Sequence, residues 1–257
     1  MGGLHLSPSI ESIDGKPARV LDIGTGSGAW AIACAEKYGN KVKVTGVDLR
    51  PIQPTMVPAN CSFEIFDCEL EWNWRQPVDF VHIGLTAGCI RDRKRLFERA
   101  FASLRPGGFL EVLDFHDTPQ CEDDTCPKDD PARLLCLANR KAAAKLQRPV
   151  DDITQYGAIM EDVGFADVKE NKRCAPTNPW PHDATQQRLG QMMAGAVADH
   201  TEALYLCRLV RAEYDCAEAA VLCAETRKTL QDPEKHLKFV LQTFWGQKPF
   251  FGVKEQT

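Results

Sequence analysis

Three glycines at alternate positions, Gly24, Gly26 and Gly28, follow the apolar run Val20-Leu21-Asp22-Ile23 and lead into Ala29-Trp30. A strand that breaks into such a loop and restarts as a helix can turn through conformations closed to other residues. It also leaves no Cβ in the way of a ligand lying on the main chain. Dinucleotide folds space these glycines as G-x-G-x-x-G, so that the helix N-terminus meets a pyrophosphate. Here the spacing is G-x-G-x-G, with Asp22 two residues ahead of the first glycine. A second acid, Asp48, ends the next apolar run about twenty residues further on, where a carboxylate can accept hydrogen bonds from both hydroxyls of a ribose. Together they describe a seat for a nucleoside-bearing ligand.

The elements that must hold this seat are readable from period and punctuation. A first strand from Arg19 is followed by a helix through Ala29, Ile32, Ala33 and Ala35 that Gly39-Asn40 can end. Val42-Lys43-Val44-Thr45-Gly46-Val47 reads as the second strand and Cys61-Ser62-Phe63-Glu64-Ile65-Phe66 as the third, closing in Asp67-Cys68. Trp72 and Trp74 behind it are either a lid on a bound base or edge packing. The fourth strand, Val78-Asp79-Phe80-Val81-His82-Ile83, carries a histidine to the end where open parallel sheets bind ligands. That histidine is either a hydrogen-bonded core residue or a reacting group.

Asp92 starts a helix that Pro106-Gly107-Gly108 stops, and Phe109 to His116 is a fifth strand containing Asp114. Cys121 to Asp130 reads as a solvated loop. Asp130-Pro131 opens a further helix, and another runs from Asp152 to Gly164. Phe165 to Cys174 is a sixth strand. Asn178-Pro179-Trp180-Pro181-His182 is a stiff connector, two or three helices precede Asp232-Pro233, and His236 to Trp245 is a seventh strand. The expected fold is α/β: one domain over 1–257, with a seven-stranded, mostly parallel sheet, helices on both faces and a helical insertion at 182–230.

Composition narrows the function classes. The 257 residues are 44% hydrophobic, and 36 acids against 31 bases give a net charge of −5, which offers no overall attraction to nucleic acid. No apolar run reaches the roughly 20 residues of a membrane span, and the start lacks a secretory pattern. Met1-Gly2 would suit myristoylation, but Leu6 stands where Ser or Thr is wanted. The eleven cysteines lack C-x-x-C pairs. Cys34, Cys136, Cys207 and Cys223 fall within apolar helical patterns and read as buried thiols of a reducing compartment. Cys121, Cys126 and His116 make no metal set without a second ligand pair, so no metal is expected. These features point to the cytoplasm, with the nucleus open.

Taken in order, the motifs resemble the fungal LaeA-like family of class I S-adenosylmethionine-dependent methyltransferases. The resemblance rests on Leu4-His5-Leu6-Ser7-Pro8, Leu21-Asp22-Ile23-Gly24-Thr25-Gly26-Ser27-Gly28 with Trp30, and Asp48-Leu49-Arg50-Pro51-Ile52-Gln53-Pro54. Val57-Pro58-Ala59-Asn60-Cys61, Phe63-Glu64, Val81-His82, Pro106-Gly107-Gly108 with Glu111, Trp180-Pro181 and Lys248-Pro249 extend it over nearly the whole chain. It implies S-adenosylmethionine as cofactor, with Asp22 facing the methionine part, Gly24, Thr25, Gly26 and Gly28 forming the loop, Asp48 and Leu49 at the ribose, and Asp67 and Cys68 at the adenine. His82 would border the cofactor and be the first candidate base, with Asp114 and His116 behind it.

The acceptor implied is a small metabolite methylated on oxygen or nitrogen. The alternative is a cofactor-binding regulator that acts through a protein partner. A dinucleotide oxidoreductase is disfavoured by the glycine spacing, Asp67 and the Pro-Gly-Gly turn. Two departures from the family stand out. Gly84 occupies a place where the family commonly has arginine, and Met1 lies almost inside the Leu-His-Leu run, where the family has a helical segment upstream. The second leads us to expect an open cleft that a homodimer or a protein partner would close.

Overall fold

Apolar runs with buried residues on both faces become central strands, because helices cover a parallel sheet above and below. The computed structural model describes His5, Ile10, residues 16–121 and residues 123–250. Of the Leu4 to Pro8 run only His5 is among them, and Met1-Gly2 lies outside the described residues. The strands are β1 (Ala18–Ile23), β2 (Val42–Asp48), β3 (Cys61–Ile65), β4 (Val78–Gly84), β5 (Leu104–Phe115), β6 (Gln120–Cys121), β7 (Ala166–Pro176) and β8 (Leu237–Gln247). The helices are α1 (Ala29–Tyr38), α2 (Arg93–Ser103), α3 (Pro131–Lys145), α4 (Tyr156–Val163), α5 (Ala184–Arg211) and α6 (Cys216–Gln231).

The sheet runs β3-β2-β1-β4-β5-β8, parallel up to β5, and β8 is antiparallel to β5, β6 and β7. Leu241 of β8 pairs with Phe115 of β5 and with Arg173 of β7, so these two strands occupy its opposite edges. Lys238 pairs with Gln120 and with Pro176, which puts β6 on the β5 side. The two-residue β6 thus prolongs the line of β5, and the expected seven-stranded, mostly parallel sheet is present with this addition. The order reverses between β1 and β4, and a crevice opens there at the carboxyl ends of the strands.

Local chemistry sets the boundaries. Asp92, Asp130, Asp183 and Asp215 each accept a hydrogen bond from a first-turn amide of α2, α3, α5 and α6, satisfying groups that a helix start leaves unpaired. Asn60 donates to the carbonyls of Ala35, Gly39 and Val42, binding the end of α1 to the start of β2. Some boundaries differ from expectation. β5 begins at Leu104, and its register against β4 shifts across Pro106-Gly107-Gly108, so that turn is an irregularity within the strand. Asp152 leads a short 3-10 turn, Ile153–Gln155, before α4. Cys34, Cys136 and Cys223 are buried as expected, but Cys207 is exposed on α5, and all eleven thiols are free.

One core layer packs α2 and α4 on the sheet through Leu96, Phe97, Tyr156 and Met160, and the other packs α1 through Ala31 and Cys34. A third cluster joins α3, α5 and α6 through Leu135, Ala142, Leu209 and Cys223. No helix among the described residues is long and apolar enough to cross a membrane. The α5–α6 pair leaves the sheet after β7 and returns at β8, and both stalks meet at Asn178. This fully buried amide donates to the carbonyls of Leu230 (3.3 Å), Asp232 (2.8 Å) and Lys235 (3.0 Å) and accepts from Trp180 N (3.1 Å). Gly190 of α5 lies so close that a Cβ there would sit 2.1 Å from the Asn178 carbonyl oxygen.

Stranding these buried carbonyls should cost about 1–3 kcal/mol, so Asn178→Ala is expected to lower stability by that amount in urea unfolding. The exposed Asn171→Ala should shift it by less than about 0.5 kcal/mol. Gly190→Ala should destabilise at least as much as Asn178→Ala, because the obstacle is backbone and cannot rotate away.

Candidate active site

At the end of β1 the chain turns through Gly24 (φ 68°), Gly26 (φ 56°) and Gly28 (φ 81°). Left-handed backbone is costly for any residue with a Cβ, so three such positions in five residues fix the loop as glycine-rich. Its packing adds a second reason at Gly28, where a Cβ would lie 2.3 Å from the Phe63 ring of β3. The loop is tied down by Thr25 N to Val47 O (3.0 Å) and Gly28 N to Thr25 O (2.8 Å). Around the Cβ position of Gly26 no atom comes within 4 Å, so the tip of the loop presents bare backbone to open space. α1 starts directly behind it with Gly28 as N-cap and no side-chain cap.

Beneath the loop lies Asp22, 2% exposed, whose Oδ2 accepts from Thr25 Oγ1 at 2.6 Å and whose Oδ1 lies 2.8 Å from His82 Nδ1. Asp22 and His82 are register partners on β1 and β4, so sheet pairing itself brings them together. With a carboxylate as acceptor, Nδ1 carries the proton. The His82 ring stacks on Trp30 of α1 at 3.8 Å and 1°, and is 4% exposed. This is the geometry of a support for the loop, and it runs against His82 as the leading base, because a base must reach the proton it removes. Gly84 lies close beneath this ring, since a Cβ there would sit 2.8 Å from His82 Cε1.

Asp48 ends β2 across from the loop. Its Oδ2 accepts from Gly26 N (2.9 Å) and its Oδ1 from Arg50 N (3.0 Å), and the adjacent Leu49 side chain is 59% exposed. Phe66 N donates to Asp48 O at 3.0 Å, which brings the segment after β3 alongside. There Asp67 Oδ1 accepts from Glu69 N (2.9 Å), and burial pushes the Cys68 thiol up to about 11. Trp72 donates through Nε1 to Cys68 O (2.9 Å). It lies edge-on to Trp74 and Phe66, all three packed against the main core. The aromatic pair therefore buttresses the segment from behind.

Asp114 lies at the end of β5 and His116 just beyond it, and the structure puts them in different networks. Asp114, 1% exposed, accepts from Ala87 N (3.2 Å) and Tyr156 OH (3.3 Å), with Arg93 at 4.0 Å. Burial raises its carboxyl to about 6 against the pull of Arg93. Arg93 is itself buried, paired with Asp151 at 2.7 Å and bonded to Thr86 Oγ1 (2.8 Å) and Thr86 O (3.1 Å). His116 is half-buried, with Nε2 2.9 Å from Gln242 Oε1. The loop after β4, pinned by Arg93 and Asp114, begins at Leu85, a non-glycine residue with φ 56° and 55% exposure.

The sequence reading missed Arg93, Asp151 and Tyr156, which look like ordinary surface polar residues around a helix start. Gln53, within the Pro51-Ile52-Gln53-Pro54 run, carries no chemical signal of its own in the sequence. Gln53 Nε2 donates to Gly26 O at 2.7 Å, a contact that only the fold brings about.

The Methyltransferase domain family matches residues 5–170. Methyltransferase pytC of Aspergillus terreus is 30% identical over 248 residues, covering 96% of this chain and 75% of the relative. Secondary metabolism regulator LAE1 of Cochliobolus heterostrophus is 31% identical over 213 residues, 82% of this chain and 69% of the relative. A solved structure, Haemonchus contortus phosphoethanolamine N-methyltransferase 2 in complex with S-adenosyl-L-methionine, aligns with a TM-score of 0.55 at 18% identity. The alignment covers 91% of this chain and 49% of that one, so the chain spans about half its length and the likeness concerns the fold. With this sheet order, this loop and these relatives, the chain belongs to the Methyltransferase domain family, in its LaeA-like fungal branch.

Proposed function

We propose that the chain transfers a methyl group from S-adenosylmethionine to an oxygen or nitrogen of a small acceptor. The observation that carries this reading is the glycine loop with its bare tip at Gly26, whose N–H donates to the Asp48 carboxylate at the carboxyl end of β2. The residues present fit the cofactor. A carboxylate offers about four acceptor sites, and two N–H donors occupy only part of that capacity at Asp48, leaving room for a ribose diol. Gly24, Thr25, Gly26 and Gly28 would carry the methionine part over Asp22, with Leu49 against the ribose and Asp67 and the Cys68 amide at the adenine. His82 would border this seat and act through Asp22.

When bound, the cofactor supplies a methyl already activated on sulfonium sulfur. The chain's contribution is then chiefly alignment and exclusion of water. Of the candidate bases, His116 keeps more exposure than His82 or Asp114 and is the one to receive a proton if the acceptor must lose it. We read residues 1–257 as one domain in which the helical pair within 182–230 covers the acceptor side, closed where needed by a second copy or a protein partner. A second reading is a cofactor-binding regulator, favoured by the LAE1 relative, whose identity to this chain matches that of pytC.

Methyl-labelled cofactor incubated with the full chain and fungal extract separates the two: label in a small organic fraction supports the first reading, whereas binding without transfer supports the second. Charge-assisted hydrogen bonds contribute roughly 1.5–3 kcal/mol each, so Asp48→Ala should weaken cofactor binding at least about tenfold by calorimetry. Unchanged affinity in the folded variant would remove the ribose assignment. His82→Ala should lower stability and cofactor affinity together, whereas loss of a base would cut turnover roughly 10²–10⁴-fold with affinity intact.

A further inference from the structure

The run Pro51-Ile52-Gln53-Pro54 sits immediately after the proposed ribose carboxylate, and its one polar side chain turns back into the site. Gln53 Nε2 donates to Gly26 O at 2.7 Å and to Arg50 O at 3.0 Å, joining the loop after β1 to the loop after β2. The same Gly26 donates its N–H to Asp48 Oδ2 at 2.9 Å. Gly26 is thus held from both ends of its own backbone, by a carboxylate on one side and a carboxamide on the other. It has no side chain, a left-handed φ and no atom near its Cβ position, so nothing of its own fixes it. Such a residue has the most conformational freedom to lose on binding.

We infer that Gln53 is a positioning residue for the cofactor seat, fixing Gly26 and through it the Asp48 carboxylate that takes the ribose. The inference rests on the cofactor reading above. The flanking prolines restrict the turn that carries Gln53, and Ile52 N donates to Arg50 O at 3.0 Å within it. A carboxamide is the group the place requires, because both of its contacts are to carbonyl oxygens and need N–H donors. A carboxylate of the same shape would face two carbonyls with nothing to donate. Preorganisation of this kind raises affinity by removing ordering that the ligand would otherwise have to impose.

Calorimetry of the full chain with S-adenosylhomocysteine tests it. Gln53→Glu, equal in shape and without a donor, should raise Kd about tenfold, whereas Gln53→Lys, which keeps a donor, should stay within about threefold of wild type. In an Asp48→Ala background Gln53→Glu should cost no more than about twofold, since residues that act as one unit are not additive. Without ligand, amide exchange at Gly26 should quicken in Gln53→Glu and stay slow in Gln53→Lys. A Kd for Gln53→Glu within about twofold of wild type, or the same fractional loss with and without Asp48, would overturn the positioning role. Failure of the wild-type chain to bind S-adenosylhomocysteine would instead overturn the cofactor reading on which the inference stands.

Discussion

A single buried carboxylate holds the site together. Asp22 has almost no contact with water, so its charge is tolerated only because donors surround it. Those donors come from two places, the Thr25 hydroxyl in the loop and the His82 ring on the neighbouring strand. Each partner is constrained in turn. Thr25 needs Gly46 on β2, where a Cβ would lie 2.6 Å from its Oγ1, and His82 needs Gly84 beside it and Trp30 over its face. One carboxylate thereby fixes the loop, the two central strands and the first helix relative to one another. It also uses the histidine that would otherwise be the obvious reactive group.

Above this foundation the cleft is shaped by main chain more than by side chains. The loop offers bare backbone, Asp48 is oriented by backbone amides, and the loop after β4 is held by Asp114 from Ala87 N and by Arg93 at Thr86. Polar side chains near the crevice are largely occupied with each other: Arg93 with Asp151, Arg148 with Glu69 at 2.9 Å, Arg208 with Asn139 at 2.8 Å. Such an arrangement suits the proposed transfer, in which the reagent is already reactive and orientation matters more than acid–base chemistry. That fits the family to which the chain belongs.

Much of this was legible in the sequence because it depends on short-range signals. Alternating glycines, acids at strand ends, Asp caps and proline punctuation act over a few residues, and they located the strands and the glycine loop. Longer-range facts were not legible. That His82 faces Asp22 follows from the register of β1 against β4, which no local pattern encodes. Arg93 looks like one of several arginines in a polar helix start, and only the fold shows it buried against Asp151, Asp114 and Tyr156. Cys207 has the apolar neighbours of a core residue, yet α5 turns it outward, because the helix buries only the side that meets α3 and α6.

The helical pair α5 and α6 has an attachment that bears on how it could have changed over time. Its outgoing and returning stalks are gathered at Asn178, and Trp180 Nε1 adds a bond to Leu237 O at 3.0 Å. The pair is also held along its length, by packing on α3, by Thr226 Oγ1 to Pro131 O at 2.9 Å and by Arg208 to Gly88 O at 3.1 Å, so it is fixed at its root and along its flank. The same anchorage makes it a cassette. Residues between the two stalks can lengthen, shorten or be exchanged while the pairing of β7 with β8 stays in place, so the fold can vary this part without disturbing the strands that carry the glycine loop.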